Sequence, residues 1–286
     1  MNTAQSKRNW FITGCDKGMG LAIAKAALEN GDTVAVTLLE KGKKSELAAT
    51  YGDRVNSYHL DITDSAAIKE TVAQIVQDMG NIDVLVNNAG YGIVGSAEET
   101  SEKDYRDVFD VNVFGMMEVT RHVLPQMRAQ KSGHIINIAS LAGFVGLPGM
   151  TAYCASKFAV EGYSEALAKE VAPLNVKVTI IEPGGFRTDF AGGSLKQTPS
   201  RIPEYRETSE AYSNRVKARH GVQPGDPARL GLALVHIVQQ AEPPGRLPLG
   251  EDALANVTEK TASLMAGFER WTELSLSTSF VEEPQA

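Results

Sequence analysis

The stretch Trp10-Phe11-Ile12-Thr13-Gly14-Cys15-Asp16-Lys17-Gly18-Met19-Gly20 joins a short apolar run to an alanine- and leucine-rich segment that continues to Asn30. The apolar run predicts a buried strand, and the segment after the glycines predicts a helix. Gly14 permits a tight turn between them, while Gly18 and Gly20 let backbone approach a ligand and helix approach strand. Because a helix N-terminus offers free amides and a positive dipole end, the junction predicts a phosphate site.

The glycine spacing differs from two other nucleotide-binding motifs. Three residues separate Gly14 from Gly18, unlike G-x-G-x-x-G, and the Gly-Lys-Ser/Thr ending of a nucleotide-hydrolysing P-loop is missing. A glycine-rich turn without a ligand is the alternative interpretation.

Strand-like and helix-like segments alternate along the rest of the chain. The predicted strands after the first are 33–39, 55–60, 82–86, 134–139, 176–181 and a short edge strand at 245–250. The predicted helices are 20–30, one that Asp61 to Asp64 caps, 104–130, 151–171, 203–220, 226–240 and 251–274. This alternation predicts an α/β fold with a central parallel sheet that helices cover on both faces.

The domain organisation is simple, since no repeat, second core or clear linker divides the chain. We expect a single domain over residues 1–286. The Gly/Ser/Thr/Pro-rich texture after Phe190 predicts a substrate-lid insertion at about 190–222. Residues 275–286 are expected to form a flexible tail.

The composition excludes several classes of function. A formal net charge of -7 argues against non-specific nucleic-acid binding. No apolar run is long enough for a membrane span, and the N-terminus lacks the apolar core of a secretory signal. Cys15 and Cys154 are too few for a disulfide framework, and the five histidines form no metal-like cluster. We expect no metal and a cytoplasmic protein.

The run Tyr153-Cys154-Ala155-Ser156-Lys157 places a phenol and an ammonium one helical turn apart, with Ser140 upstream. A nearby positive charge lowers the pKa of a phenol, which suits proton transfer to or from an alcohol or carbonyl. The pattern alone is weak, because a packing tyrosine and a solvated lysine share this spacing in many helices.

Further motifs fall where predicted strands end. The glycine motif, Asn87-Asn88-Ala89-Gly90, Ser140 and Pro183-Gly184 all follow strands directly. In an open parallel sheet, ligands bind at the carboxyl ends of the strands. The convergence of these motifs therefore predicts one site.

Together these motifs resemble the short-chain dehydrogenase/reductase family, over about residues 9–188. The resemblance implies a Rossmann-like doubly wound parallel sheet and an NAD(P)-dependent oxidoreductase. It implies a catalytic set of Asn112, Ser140, Tyr153 and Lys157. It also implies these cofactor-binding residues: Gly14, Asp16, Lys17, Gly18, Met19, Gly20, Leu39, Asp61, Ile62, Asn88, Ala89, Gly90, Tyr153, Lys157, Pro183, Gly184 and Thr188.

The resemblance implies a role for each catalytic residue. Tyr153 would exchange a proton with the substrate oxygen, and Lys157 would lower its pKa and hydrogen-bond the nicotinamide ribose. Ser140 would donate to the oxygen where negative charge develops. Asn112 would hold a relay water; the alternative is a buried polar residue that repairs a helix irregularity.

The end of the second strand leaves the coenzyme open. Leu38 and Leu39 stand where relatives typically carry Asp for NAD or Arg for NADP, so neither signature is intact. Lys17 resembles the basic residue of NADP-preferring members, whereas Glu40 argues weakly for NAD. NADP(H) is favoured and NAD(H) is possible. The alternative for Lys17 is a solvated loop charge.

The expected substrate is a hydrophobic ketone or aldehyde and its alcohol, because the segments expected to wall the pocket are mostly apolar. Those side chains are Leu141, Phe144, Val145, Leu147, Met150, Phe186 and Phe190. Alternatives are an NAD-dependent alcohol or steroid-type dehydrogenase, a non-catalytic dinucleotide sensor and a sugar-nucleotide epimerase. The resemblance implies a homodimer or homotetramer with contacts through the helices from Asp104 and Thr151.

Overall fold

Seven parallel strands form the central sheet of the computed structural model, which describes residues 7–280. In chain order the strands are β1 (Asn9–Ile12), β2 (Thr33–Leu38), β3 (Val55–His59), β4 (Val84–Asn87), β5 (Gly92–Val94), β6 (Gly133–Ile138), β7 (Val176–Pro183), β8 (Leu195–Gln197) and β9 (Arg246–Leu249). The order in the sheet is β3-β2-β1-β4-β6-β7-β9, so the chain changes direction between β1 and β4. Ligand clefts of open α/β sheets form at such switch points.

Helices cover both faces of this sheet. They are α1 (Gly18–Glu29), α2 (Ala48–Tyr51), α3 (Ser65–Met79), α4 (Glu102–Phe109), α5 (Met116–Gln130), α6 (Thr151–Val171), α7 (Phe190–Gly193), α8 (Ala211–Ala218), α9 (Pro227–Val238), α10 (Glu251–Arg270) and α11 (Thr272–Leu276). The predicted α/β, doubly wound, single-domain fold is confirmed.

The strands are apolar on both sides because each face meets a helical layer. In β1, Trp10 and Ile12 join the core under α1 and α9, whereas Phe11 joins the core under α3, α5 and α6. The buried indole of Trp10 also donates to Asp32 Oδ2 at 3.0 Å. Burial of each large side chain contributes about 1.5–3 kcal/mol.

Close helix packing fixes the layer that carries the glycine turn. A Cβ built on Gly231 of α9 would lie 2.7 Å from Ala22 O and 2.9 Å from Ala26 Cβ of α1. The two helices therefore cross without an intervening side chain at this point. This contact sets the position of α1, whose N-terminus follows the glycines.

The helix predicted at 104–130 is interrupted in the structure. It starts at Ser101, whose hydroxyl accepts from Asp104 N at 3.1 Å, and α4 and α5 are joined by a wider π-helical turn at Asp110–Gly115. A Cβ on Gly115 would lie 2.5 Å from Ile62 O, so the turn packs directly on the chain after β3. Periodicity alone does not reveal a one-residue insertion in a helix.

A second, two-stranded parallel sheet pairs β5 with β8, and β8 lies in the segment after Phe190 that is expected to be loop-like. Gly92 opens β5, and the Phe190 ring and the Leu195 side chain occupy the space that a Cβ there would need. Strands of three residues are too short to show an alternating pattern. The rest of 190–222 contains α7, a helical turn from Pro203 to Glu210, and α8.

The carboxyl-terminal part ends in α10 and α11. α11 extends into the predicted tail as far as Leu276, and residues 281–286 lie outside the described residues. Within residues 7–280, no helix combines the length and apolar character that crossing a membrane requires.

Candidate active site

A cleft of about 960 Å³ opens at the carboxyl ends of β1, β2 and β4. The predicted cofactor residues that line it are Gly14, Asp16, Lys17, Gly18, Met19, Leu39, Asp61, Ile62, Asn88, Ala89, Gly90 and Thr188. Gly20, Tyr153, Lys157, Pro183 and Gly184 are not among its wall residues. Most of the predicted cofactor set is therefore brought together in one cleft.

The glycine turn has little room for side chains. Gly14 has a φ of +68°, and a Cβ there would lie 2.8 Å from Ala89 Cα. A Cβ on Gly20 would overlap Gly14 O and lie 2.5 Å from Asn88 Nδ2, whereas Gly18, at φ +65°, faces Thr188 at 3.5 Å. Gly14 and Gly20 are thus needed for packing within the turn, while Gly18 leaves the outer surface of the turn without a side chain.

Hydrogen bonds join this turn to the end of β4. Thr13 Oγ1 accepts from the backbone amides of Asn88 and Ala89, each at 3.0 Å. The Asn88 amide group donates to Thr13 O and Gly14 O, each at 2.9 Å. The two strand ends therefore form one rigid wall.

The N-terminus of α1 fits a phosphate group. No side chain caps it, and its first turn contains no acidic residue. Its first amides are therefore left for an external acceptor, and the helix dipole favours an anion there. This cradle, which a Cβ would fill, suits the pyrophosphate of a dinucleotide.

The opposite end of the cleft carries acidic and apolar groups. The Asp16 carboxylate accepts from Leu39 N at 3.1 Å, which fixes the end of β2 beside the turn. Asp61 Oδ1 accepts from Thr63 N at 2.9 Å, so its carboxylate is oriented. Glu40 also lines the cleft and pairs with Lys43 at 3.4 Å.

The mouth of the cleft is bridged by Lys17, whose ammonium forms an ion pair with Asp189. Both side chains are about half exposed, at 50% and 46%. Lys17 lowers the pKa of the Asp189 carboxyl through a hydrogen bond and its charge. The pair connects the glycine turn to the start of the 190–222 segment.

Asn112 lies in the π-helical turn and is 2% exposed. Its Nδ2 donates to Tyr91 O at 2.9 Å and to Ser156 Oγ at 3.1 Å, and its Oδ1 accepts from Tyr91 N at 3.0 Å. A Cβ on Gly90 would lie 2.9 Å from Asn112 Oδ1 and 3.7 Å from Lys157 Nζ. Asn112 therefore ties the helix irregularity to the cleft wall.

Tyr153 is buried on the first turn of α6, in an apolar cluster with Met150, Leu147 and Phe190. The Phe190 ring lies over it, with 5.7 Å between ring centroids. Burial raises the pKa of Tyr153 to about 12, and a hydrogen bond from Ser140 opposes this increase. Ser140 Oγ also accepts from Ala142 N at 3.1 Å at the start of a short helical turn.

Lys157 is buried one turn along α6, and its Nζ donates to Ile138 O at 2.8 Å. The Nζ lies 5.9 Å from the centroid of the Tyr153 ring. Burial lowers the pKa of Lys157 to about 8, and the nearby Glu161 carboxyl opposes this decrease.

The pair therefore differs from the predicted activated phenol. The pKa of Tyr153 is raised rather than lowered, because burial disfavours the phenolate. Both groups hold their protons at neutral pH, so the arrangement can donate a proton to an oxygen placed beside Tyr153 and Ser140.

A cluster of three carboxylates around one guanidinium lies behind this pair. Arg246 contacts Glu161 at 3.2 Å, and Glu165 and Glu182 at 2.5 Å each, with Phe144 stacked at 5.1 Å. Burial raises the pKa of Glu161 to about 8, and Arg246 opposes this increase. Glu161 and Glu182 are buried while Glu165 is more than half exposed, and one arginine charge shared among the three does not offset the burial of both buried carboxylates, which favours a protonated carboxyl there.

Pro183 is the last residue of β7, and Gly184 follows it. In the sheet, β7 lies two strands beyond β4. Gly184 N donates to Leu249 O at 2.9 Å, and Gly185 N donates to Asp252 Oδ2 at 2.8 Å. Thr188 Oγ1 accepts from Phe190 N at 3.2 Å, which orients the residue that covers Tyr153.

Some residues at the site had no role in the sequence prediction. Thr37 accepts from Gly14 N at 3.1 Å, and Asp189 holds Lys17. The sequence signal for Thr37 is a polar residue near the end of an apolar strand. Asp189 has no local sequence signal, because its partner Lys17 lies in a distant segment.

Comparisons with known proteins agree with this geometry. A family model described as short chain dehydrogenase matches residues 8–198. Oxidoreductase BOA17 of Botryotinia fuckeliana is 39% identical over 271 residues, which is 94% of this chain and 98% of that protein. The 3-ketodihydrosphingosine reductase of Bacteroides thetaiotaomicron is 37% identical over 241 residues, covering 84% and 87% of the two chains.

The crystal structure of a short-chain dehydrogenase from Streptomyces avermitilis matches with a TM-score of 0.90 and 40% identity, over 96% of this chain and all of that one. These matches agree with the glycine cradle and with the pair of Tyr153 and Lys157. The chain belongs to the short-chain dehydrogenase family of NAD(P)-dependent oxidoreductases.

Proposed function

We propose that the protein interconverts a hydrophobic ketone or aldehyde and its alcohol with NADP(H). The observation that carries this proposal is the protonated Tyr153 beside Ser140, buried in an apolar cluster next to the cleft. The polar groups supply proton chemistry, and their surroundings favour an apolar substrate.

Each catalytic residue has a distinct role in the proposal. Tyr153 donates its proton to the carbonyl oxygen in reduction and takes it back in oxidation, while Ser140 donates a hydrogen bond to that oxygen. Lys157, next to Gly90, lies where it can reach a cofactor ribose and supply positive charge. The nicotinamide ring, when bound, gives or accepts the hydride. Asn112 positions the Gly90–Tyr91 backbone.

The coenzyme proposal rests on Lys17. It is one of two lysines in the cleft wall; Lys17 is paired with the half-exposed Asp189, and Lys196 is paired with Asp104. An ammonium in the wall of this cleft can pair with a 2′-phosphate, and the carboxylate of Glu40 is already offset by Lys43. NAD(H) is the alternative, because Asp16 and Asp61 place negative charge at the same end.

The substrate class and the lid belong together. Phe190 covers Tyr153, so a substrate needs the 190–222 segment to move, and we propose this segment as the lid. The relative named as a 3-ketodihydrosphingosine reductase supports a ketone with a long apolar part. Hydrogen exchange in 190–222 should decrease when cofactor and a ketone are added; unchanged exchange would contradict the lid.

Two further features are part of the proposal. The protein acts as a homodimer or homotetramer, with α5 and α6 in the contacts. It works in a reducing cytoplasm, in keeping with the buried free thiols of Cys15 and Cys154. Size-exclusion chromatography with light scattering and localisation of a tagged protein test these two statements.

The decisive experiment is Tyr153→Phe in an assay with NADPH and a panel of hydrophobic ketones. We expect kcat to fall by about 10²- to 10⁴-fold, the usual contribution of general acid catalysis, with NADPH affinity unchanged. Tyr58→Phe is a matched control, since the Tyr58 hydroxyl bonds Asp78 and Tyr58 is not among the wall residues of the cleft. Near-wild-type turnover by Tyr153→Phe would disprove the role, and a wild-type protein that binds cofactor but reduces no ketone would favour a dinucleotide sensor.

A further inference from the structure

Helix α10 leaves the body of the protein soon after it begins. Ala253 is fully buried, but large apolar side chains beyond it are exposed, including Leu254 at 58%, Phe268 at 64% and Trp271 at 55%. Large apolar side chains that are exposed together on one surface of a protein mark an interaction site.

Uncharged residues from α10 to α11 follow a regular spacing. Steps of three and four residues alternate along a line that we call the seam: Leu254, Val257, Thr261, Leu264, Phe268, Trp271 and Ser275. Helices with this 3.5-residue repeat pack on another helix along the repeated face. The seam covers three repeats, and its residues from Thr261 to Ser275 are exposed in the described chain.

Charge separates the seam from the rest of the two helices. None of its seven residues is charged, and Glu259, Arg270 and Glu273 fall on the opposite side of the helical wheel. Residues 251–280 carry five acidic and two basic side chains. A helix that lies on an anionic membrane is rich in Lys and Arg on its polar face, so this composition disfavours a lipid surface.

The outer part of the seam has a groove that can accept side chains. Leu264, Phe268, Trp271 and Leu276 line a hollow of about 540 Å³, and Gly267 lies on its floor with open space above its Cα. A side chain from a facing helix can enter such a hollow as a knob enters a hole.

The exposed area is close to what a stable dimer needs. Four large apolar side chains of the seam are between 38% and 64% exposed: Leu254, Leu264, Phe268 and Trp271. Three more, each next in sequence to a seam residue, are between 54% and 67% exposed: Met265, Leu274 and Leu276. At roughly 100 Å² each these seven side chains supply on the order of 700 Å² per copy, against about 800 Å² per partner in a standard interface.

We propose that a second copy of this chain covers the seam, so that two α10 helices pack on each other about a twofold axis. A twofold contact uses the same surface on both copies, and an uncharged seam brings no like charges together. This interface is additional to α5 and α6 and does not depend on the catalytic proposal.

The test is the molar mass of the purified full chain, by light scattering after size exclusion. We expect the wild type to exceed one 30.7 kDa chain and the double variant Leu264→Glu/Phe268→Glu to have half the wild-type mass. Ala255→Glu/Ala266→Glu adds the same charge on the opposite side of α10 and should keep the wild-type mass. A monomeric wild type, or a seam variant with unchanged mass, would overturn the proposal.

A conservative variant covers the case in which the double variant fails to fold. Cys15 and Cys154 are buried, so Leu264→Cys introduces an accessible thiol at the middle of the seam. A short bis-maleimide should link two copies of Leu264→Cys and leave Ala266→Cys unlinked. Equal linking of both, or seam-dependent sedimentation with phosphatidylcholine vesicles by a monomer, would reject a second copy as the occupant.

Discussion

The ammonium of Lys17 is bound by the Asp189 carboxylate at the mouth of the cleft. A cofactor phosphate would compete with that carboxylate for the same cation. If the proposed NADP(H) preference rests on Lys17, it depends on a residue outside the glycine motif as well as on one within it.

Asp189→Asn should raise NADPH affinity relative to NADH, because it frees Lys17 for the 2′-phosphate. We expect a change of about 1.5- to 5-fold, the range of an exposed ion pair. Lys17→Ala should weaken NADPH and leave NADH nearly unchanged. Isothermal titration with both coenzymes measures these effects, with Lys103→Ala as a control at an exposed ion pair whose residues do not line the cleft. Equal changes for the two coenzymes would count against NADP(H).

The buried carboxyl of Glu161 makes stability depend on pH. Its pKa is raised to about 8 from 4.5, so its stabilising contribution is complete below the unfolded value and is lost as pH rises toward 8. His134 acts in another window: burial lowers its pKa to about 4, so stability rises with pH only up to about 6.5.

Between pH 6.5 and 8 the wild type should therefore lose up to about 2 kcal/mol of unfolding free energy. Glu161→Gln keeps a neutral group of the same shape and should reduce this loss. Glu165→Gln removes a more exposed carboxylate from the same arginine and should retain it. Urea unfolding at pH 6.5 and pH 8 measures this loss of unfolding free energy. An equal loss in wild type and Glu161→Gln would refute the assignment of the pH dependence to Glu161.

At the scale of elements, the crossing of α1 and α9 positions the phosphate cradle. Gly231→Ala should destabilise the protein by about 1–3 kcal/mol, because a Cβ there meets the backbone of α1. Gly162→Ala on α6 meets open space and should stabilise by about 0.5–1 kcal/mol. Thermal or urea unfolding compares the pair, and stabilisation by both would contradict the close crossing.

Sequence patterns predicted the elements that have strong local signals. Apolar runs ending at Thr13, Asn87 and Ser140 located the strands and the site at their ends. The break at Asn112 and the pairing of β5 with β8 were not predicted, because both depend on contacts between distant segments. The direction of the Tyr153 pKa also needed the structure, since burial by Phe190 is absent from the motif.

For the whole molecule, cofactor binding should appear as thermal stability. At a ligand concentration of about 100 times Kd, binding adds roughly 2.7 kcal/mol, which raises Tm by several degrees. Gly14→Ala should remove most of this increase, because the turn cannot keep its shape beside Ala89. Differential scanning fluorimetry with and without NADPH measures it; a full increase in Gly14→Ala would show that the cradle is elsewhere.

The chain contains two tryptophans, and the fold gives them opposite surroundings. Trp10 is sealed under α1 and bonded to Asp32, while Trp271 is exposed on the seam. Tryptophan fluorescence can therefore report unfolding and association separately in the same unlabelled protein. A red shift from Trp10 reports loss of the sheet core, and a blue shift from Trp271 reports coverage of α10. Trp10→Phe and Trp271→Phe would each leave a single optical reporter, one for folding and one for association.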